Sequence, residues 1–74
     1  MEDARRGEYI GLLTTETAGR LGAFVVAGGD WDIARPPGSL GFTVWLWTPV
    51  QREIGHGASV DAAFRAALDK LARA

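Results

Sequence analysis

The sequence contains no cysteine and only one histidine, His56, among its 74 residues. Disulfides and thiolate metal sites are therefore excluded, and a zinc site would need several carboxylates around one imidazole. We expect neither a metal nor a cofactor. A chain of this length forms a small core, which rarely supplies more than about 3–5 kcal/mol of net stability. Small domains often gain further stability from disulfides, a bound metal or a partner chain. Only the partner chain remains for this sequence, so a homodimer is one expectation.

Excess charge of either sign is also missing, since eight Lys+Arg face nine Asp+Glu and the net charge is −1. Binding that rests on phosphate neutralisation needs a basic surface, so nucleic acid is not the expected partner. No apolar run reaches the roughly 18 residues of a membrane span, so we expect no membrane contact. The absence of cysteine fits a cytoplasmic protein. We expect one domain over 1–74, with residues 1–6 flexible.

Catalytic motifs are absent as well. The sequence has no phosphate-binding loop, and a nucleophilic triad would have to use His56 with Ser39 or Ser59. Asp30 and Asp32 flank a tryptophan, and in a strand their carboxylates point to the same face, where they could hold a cation or exchange protons. An enzyme built on these carboxylates and His56 is an alternative, but the sequence favours a protein without catalytic activity.

The C-terminal segment predicts an amphipathic helix. Ser59 is a good N-cap, and Asp61 places a negative charge in the first turn. Apolar residues then recur at helical spacing on one face: Val60, Ala63, Phe64, Ala67, Leu68 and Leu71. Residues 61, 65, 69 and 73 alternate in sign on the opposite side, which is typical of a solvated face.

Several upstream segments predict strands. Residues 42–48 are β-branched or aromatic almost throughout, Pro49 ends them, and residues 52–56 can return as a second strand. Residues 22–27 predict another strand, with residues 31–34 pairing back on it. Residues 8–15 favour a strand, with a short helix as the alternative.

Together these elements predict an α+β fold, in which a small antiparallel sheet of three to four strands carries the C-terminal helix on one face. From about residue 42 onward the chain resembles the second half of a double-stranded-RNA-binding domain. The resemblance lies in Gly55-His56-Gly57-Ala58-Ser59 and in the alanines of the following helix. It implies close packing of helix on sheet. Where that family has two phosphate-gripping lysines after the serine, this chain has Val60 and Asp61, which argues against RNA binding. A plain β-β-β-α arrangement is the other expectation.

The strand at 42–48 is apolar on both faces, because Phe42, Val44 and Leu46 alternate with Thr43, Trp45 and Trp47. One helix covers one face, so the second face needs a cover. The N-terminal segment or the 28–40 loop, a second copy of the chain, or another protein could provide it.

We therefore predict a protein–protein interaction module. Its candidate binding residues are Trp31, Trp45, Trp47, Thr43, Arg35 and Arg52. The small, cysteine-free chain would suit a phage or mobile-element inhibitor of a host defence system, similar in kind to anti-CRISPR proteins. The alternative is a nucleic-acid-binding domain that uses the arginines at 5, 6, 20, 35 and 52.

Overall fold

The computed structural model describes residues 7–36, 38 and 40–73, so the expectation that residues 1–6 are flexible lies outside the described part. The described elements follow in the order helix, three strands, helix: α1 (Thr15–Val26), β1 (Asp30–Ala34), β2 (Phe42–Trp47), β3 (Arg52–Gly57) and α2 (Val60–Arg73). Residues 7–10 are helical as well. The α+β fold class is confirmed.

The strands form one antiparallel sheet in the order β1–β2–β3. The predicted hairpin between β2 and β3 is present, with Trp47 opposite Arg52. Thr48 closes its turn, because its N–H donates to the carbonyl of Gln51 at 2.8 Å and its hydroxyl accepts from the N–H of Gln51 at 3.0 Å. β1 pairs with β2, from Asp30 opposite Trp47 to Ala34 opposite Thr43.

The prediction of a strand at 22–27 is wrong, because these residues form the second half of α1. Thr14 caps this helix by accepting a hydrogen bond from the N–H of Thr17 at 3.3 Å. Val25 and Val26 suggested a strand, yet both are exposed. Their β-propensity has no effect here, because that propensity depends on packing against a pleated, half-buried surface. Gly28, with a φ of 105°, ends the helix in a conformation that favours glycine.

The strand favoured for residues 8–15 is also absent. Residues 7–10 are helical, and α1 begins at Thr15 after a short turn, so the helical alternative describes this segment better. Tyr9 packs edge-to-face on Phe42, with ring centroids 6.4 Å apart. The N-terminal segment therefore covers one end of the sheet on the side of Phe42.

The helix α2 lies unusually close to β3. Ser59 caps it as predicted, accepting from the N–H of Ala62 at 3.1 Å. A Cβ added to Gly55 would lie 2.5 Å from the carbonyl oxygen of Ala63, and one added to Gly57 would lie 2.7 Å from the carbonyl carbon of Ala62. Both glycines belong to β3, and their missing side chains let the helix backbone approach the sheet.

The core fills the space between the sheet and the two helices. Phe64 of α2 is fully buried and meets Trp31 of β1 edge-to-face, with ring centroids 5.1 Å apart. Val44 and Leu46 of β2 are fully buried beside them, and Leu21 brings α1 into the same cluster. The predicted apolar stripe of the C-terminal helix is therefore the stripe that meets the sheet.

Two polar contacts fasten α1 to α2. Asp61, in the first turn of α2, accepts a hydrogen bond from the N–H of Thr14 at 2.9 Å, and Thr14 is also the N-cap of α1. One carboxylate therefore lies at both helix N-termini, where a negative charge is favourable. At the other end Arg20 of α1 forms an ion pair with Asp69 of α2 at 2.9 Å. The charged side of α2 is thus partly a helix–helix contact.

Candidate functional site: the open face of the sheet

The sheet has one covered and one open face. Gly55 and Gly57, which contact α2, lie on the same face as Phe42, Val44 and Leu46 of β2, because opposite residues share a face. The described helices pack on this side, and no helix among residues 7–36 and 40–73 packs on the other. The second face, named here the open face, carries three positions of each strand: Asp30, Asp32 and Ala34; Thr43, Trp45 and Trp47; Arg52, Ile54 and His56.

An apolar stripe runs along the middle of the open face. Trp45 and Trp47 of β2 are half-buried, since they lie between the side chains of β1 and β3. Ile54 of β3, directly opposite Trp45, is 39% exposed. A shallow depression of about 270 Å³ lies among Trp45, Trp47, Asp32 and Arg52. The arrangement offers a flat aromatic surface with a carboxylate and a guanidinium at its margins.

The acidic margin is formed by β1. Asp30 accepts a hydrogen bond from the N–H of Trp31 at 2.8 Å, and Asp32 accepts one from the N–H of Ile33 at 2.8 Å. Each carboxylate therefore binds the backbone of its own strand. Within the described part of the chain, no group of three or more His, Cys, Asp or Glu side chains is arranged to hold a metal ion.

The basic margin is formed by β3, with Arg52 and His56 on the open face. Nδ1 of His56 lies 3.0 Å from the hydroxyl oxygen of Thr43, so these two side chains are hydrogen-bonded across the β2–β3 pair. Thr43 is thereby buried, with 8% of its surface exposed. Since β2 separates β1 from β3, the backbone of His56 is roughly 9–10 Å from that of the acidic strand. The geometry does not assemble the aspartates and His56 into one constellation.

The structure brings together four of the six predicted binding residues: Thr43, Trp45, Trp47 and Arg52 share the open face. Trp31 is elsewhere, because it is 4% exposed and packs in the core. Arg35 is also separate, since its guanidinium lies 5.6 Å from the ring centroid of Phe42, on the covered side. The prediction that Trp31 belongs to the binding surface is therefore wrong, because its side chain is buried within the monomer.

Ile54 is a member of the open face that the sequence reasoning missed. The signal was present, because strict alternation along Arg52-Glu53-Ile54-Gly55-His56 places the first, third and fifth residues on one side. Alternation also predicts that Asp32, Trp45 and Ile54 share a face, but only once the register of the three strands is known. The predicted sheet pairs residues 31–34 with a strand at 22–27, so it does not give the observed register between β1 and β2.

Comparison with models of known protein families, with curated proteins and with solved structures finds no match to this chain. Within the described residues, neither helix is long and apolar enough to cross a membrane.

Proposed function

We propose that this protein is a non-enzymatic protein-binding module whose binding surface is the open face. The observation that carries this proposal is the pair Trp45 and Trp47, half-exposed on a sheet face that the described helices leave uncovered. Tryptophans buried in the centre of an interface contribute a large share of binding energy in many complexes.

The layout of the face supports binding to a protein. Trp45, Trp47 and Ile54 form an apolar centre, and Asp32 and Arg52 lie at its margins. An apolar centre with a polar rim is the usual anatomy of protein interfaces. The shallow depression suits a broad surface better than a small ligand, which usually occupies a concave pocket. An inhibitor of a host system, the role suggested by the size of the chain, would use this same surface.

The alternative is a nucleic-acid-binding domain. The order helix, three strands, helix, with both helices on one side, is compatible with the fold of double-stranded-RNA-binding domains and favours this alternative. The charges do not favour it. Arg20 is paired with Asp69, Arg35 lies over Phe42, and Arg52 lies on the open face. Residues 5 and 6 lie outside the described part of the chain. The three arginines of this set that the structure describes lie on three different surfaces and do not form the basic stripe that phosphate binding needs.

Site-specific photo-crosslinking tests the proposal directly. A photoreactive amino acid at position 54 lies on the open face, and the same residue at position 65 is the matched control, because Arg65 is exposed on α2. In cells that express the chain, we expect position 54 to crosslink to protein and position 65 to do so far less. Trp47→Ala should abolish the crosslinks from position 54, whereas Val26→Ala, an exposed residue of α1, should not.

Two outcomes would contradict the proposal. One is an equal crosslinking yield at positions 54 and 65; the other is an unchanged yield in a folded Trp47→Ala variant. Titration with duplex RNA and duplex DNA at low salt distinguishes the alternative, since a phosphate-driven interaction strengthens as salt is lowered. We expect no saturable binding, and salt-sensitive binding that survives Trp47→Ala would favour the nucleic-acid alternative.

A further inference from the structure

We propose that the partner seated on the open face is a second copy of this chain, and that the two copies are related by a two-fold axis parallel to β2. This inference rests on the proposed function, since it names the occupant of the same face. It is carried by three features of the sheet: the distribution of charge across the open face, the symmetry that this distribution allows, and the state of the two sheet edges.

The open face changes sign from one margin to the other. The negatively charged Asp30 and Asp32 lie on β1, the positively charged Arg52 lies on β3, and the tryptophans of β2 lie between them. The acidic and the basic margin are separated by the full width of the sheet. Such a surface can pair with a second copy of itself. The acidic margin of each copy then meets the basic margin of the other, and the two apolar centres meet in the middle.

Of the two two-fold axes that keep the strands of both copies aligned, only one uses this complementarity. A two-fold axis parallel to β2 places β1 of each copy over β3 of the other. Because Asp30, Trp47 and Arg52 lie at one level of the sheet, Asp30 then faces Arg52 of the second copy. An axis perpendicular to the strands places β1 over β1 and β3 over β3, which opposes like charges. Like charges across an interface are strongly unfavourable. The apolar stripe of β2 meets its own copy in either case, so the charges select the parallel axis.

The edges of the sheet offer little to an approaching strand. On β1 the N–H groups of Trp31 and Ile33 already donate to Asp30 and Asp32. On β3 the carbonyl of Ile54 accepts a hydrogen bond from Nζ of Lys70, which reaches over from α2. Side chains that occupy edge groups in this way hinder edge-to-edge pairing. Association of two copies is thereby directed to the face.

Charge reversal at two positions tests the orientation. Arg52→Glu and Asp30→Lys each place like charges opposite one another in a homodimer, and both residues are exposed. By analytical ultracentrifugation at low salt we expect the unmodified chain to dimerise and each variant alone to dimerise at least about tenfold more weakly. A mixture of the two variants should form a heterodimer about as strong as the original, because both contact pairs are again complementary. The double variant D30K/R52E should also recover dimerisation.

Circular dichroism checks that each variant is folded. If one variant is less stable, the mixture still tests the orientation, because only folded chains with complementary charges can form the heterodimer. An unmodified chain that stays monomeric at all concentrations would overturn the inference. A dimer that both single variants leave unchanged would overturn it too. If position 54 crosslinks to a different protein while the chain is monomeric, the homodimer is refuted and the protein-binding function stands. If position 54 crosslinks to nothing, both fail.

Discussion

Gly55 is a residue at which the backbone of α2 leaves no room for a side chain. A Cβ at this position would lie within 2.5 Å of backbone atoms of Ala63 and Ala67, which cannot move without shifting α2. We expect Gly55→Ala to lower the free energy of unfolding by about 1–3 kcal/mol or more, as overpacking of a tight site does. Thermal unfolding followed by circular dichroism measures this change.

Gly22→Ala is the matched control for that substitution. Gly22 lies in α1, and a Cβ added there meets nothing within 4 Å. Replacing a helical glycine by alanine in open space should raise stability by about 0.5–1 kcal/mol. In a domain of this size each kcal/mol shifts the Tm by roughly 4–8 °C. If Gly55→Ala left the Tm unchanged or raised it, as Gly22→Ala should, the close approach of α2 to β3 would be refuted.

The sequence predicts some residues of the candidate site but not others. Alternation along residues 42–47 correctly separates Trp45 and Trp47 from Val44 and Leu46. The same rule does not decide which of the two faces is covered. Trp31 lies on the covered face because it packs against Phe64. Phe64 belongs to another element more than thirty residues later in the chain, so local alternation around Trp31 does not predict this contact.

At the scale of elements, Asp61 is the polar link between α1 and α2. The N–H of Thr14, together with the side chains of Thr17 and Thr14 and the charge of Arg65, holds the pKa of Asp61 below its ordinary value of 3.8, although partial desolvation opposes them. A carboxyl whose pKa is lowered on folding stabilises the fold at pH values above its ordinary pKa. This stabilisation is lost as pH falls through the lower pKa of the folded state.

Asp61→Asn should therefore lower the Tm at neutral pH, and the difference from the unmodified chain should shrink as pH falls below about 3.8. Thermal unfolding of the two proteins across a pH series measures the difference. A Tm difference that stays constant down to strongly acidic pH would show that the ionised carboxylate does not contribute.

The element assignments show where sequence reasoning succeeds and where it fails. The helix α2 was predicted correctly, because its apolar stripe and its serine cap agree with each other and with the packing. The helix α1 was missed, although Thr14 is a good cap and Thr17, Leu21 and Phe24 have helical spacing. Two glycines and the Val25-Val26 pair weakened its local signal, and its burial depends on α2, which follows much later in the chain.

Within the whole molecule, the contacts of α1 indicate that this helix is less stable against local opening than the sheet. This helix has 12 residues, two of them glycine, and helices of this length are marginal in isolation. It is attached through Leu21, through Thr14 to Asp61 and through Arg20 to Asp69. Regions with few buried contacts open at lower free energy than the core of a sheet.

In native-state hydrogen exchange, the amides of α1 should therefore exchange faster than those of β2, which is the central strand. Arg20→Ala should accelerate exchange in α1 and leave β2 nearly unchanged. Thr15→Ala, an exposed residue of the same helix, serves as the control. Equal protection of α1 and β2 would instead show that the molecule opens only as one unit.

The occupied sheet edges also limit how far this protein can assemble. A sheet that grows through free edges exposes a new edge after each addition, so its growth has no natural end. In this molecule Asp30, Asp32 and Lys70 occupy edge groups, while the open face is a single surface. Association through such a face about a two-fold axis uses that surface up in one step. The homodimer proposed above would therefore be a closed, finite complex and would not grow into fibres.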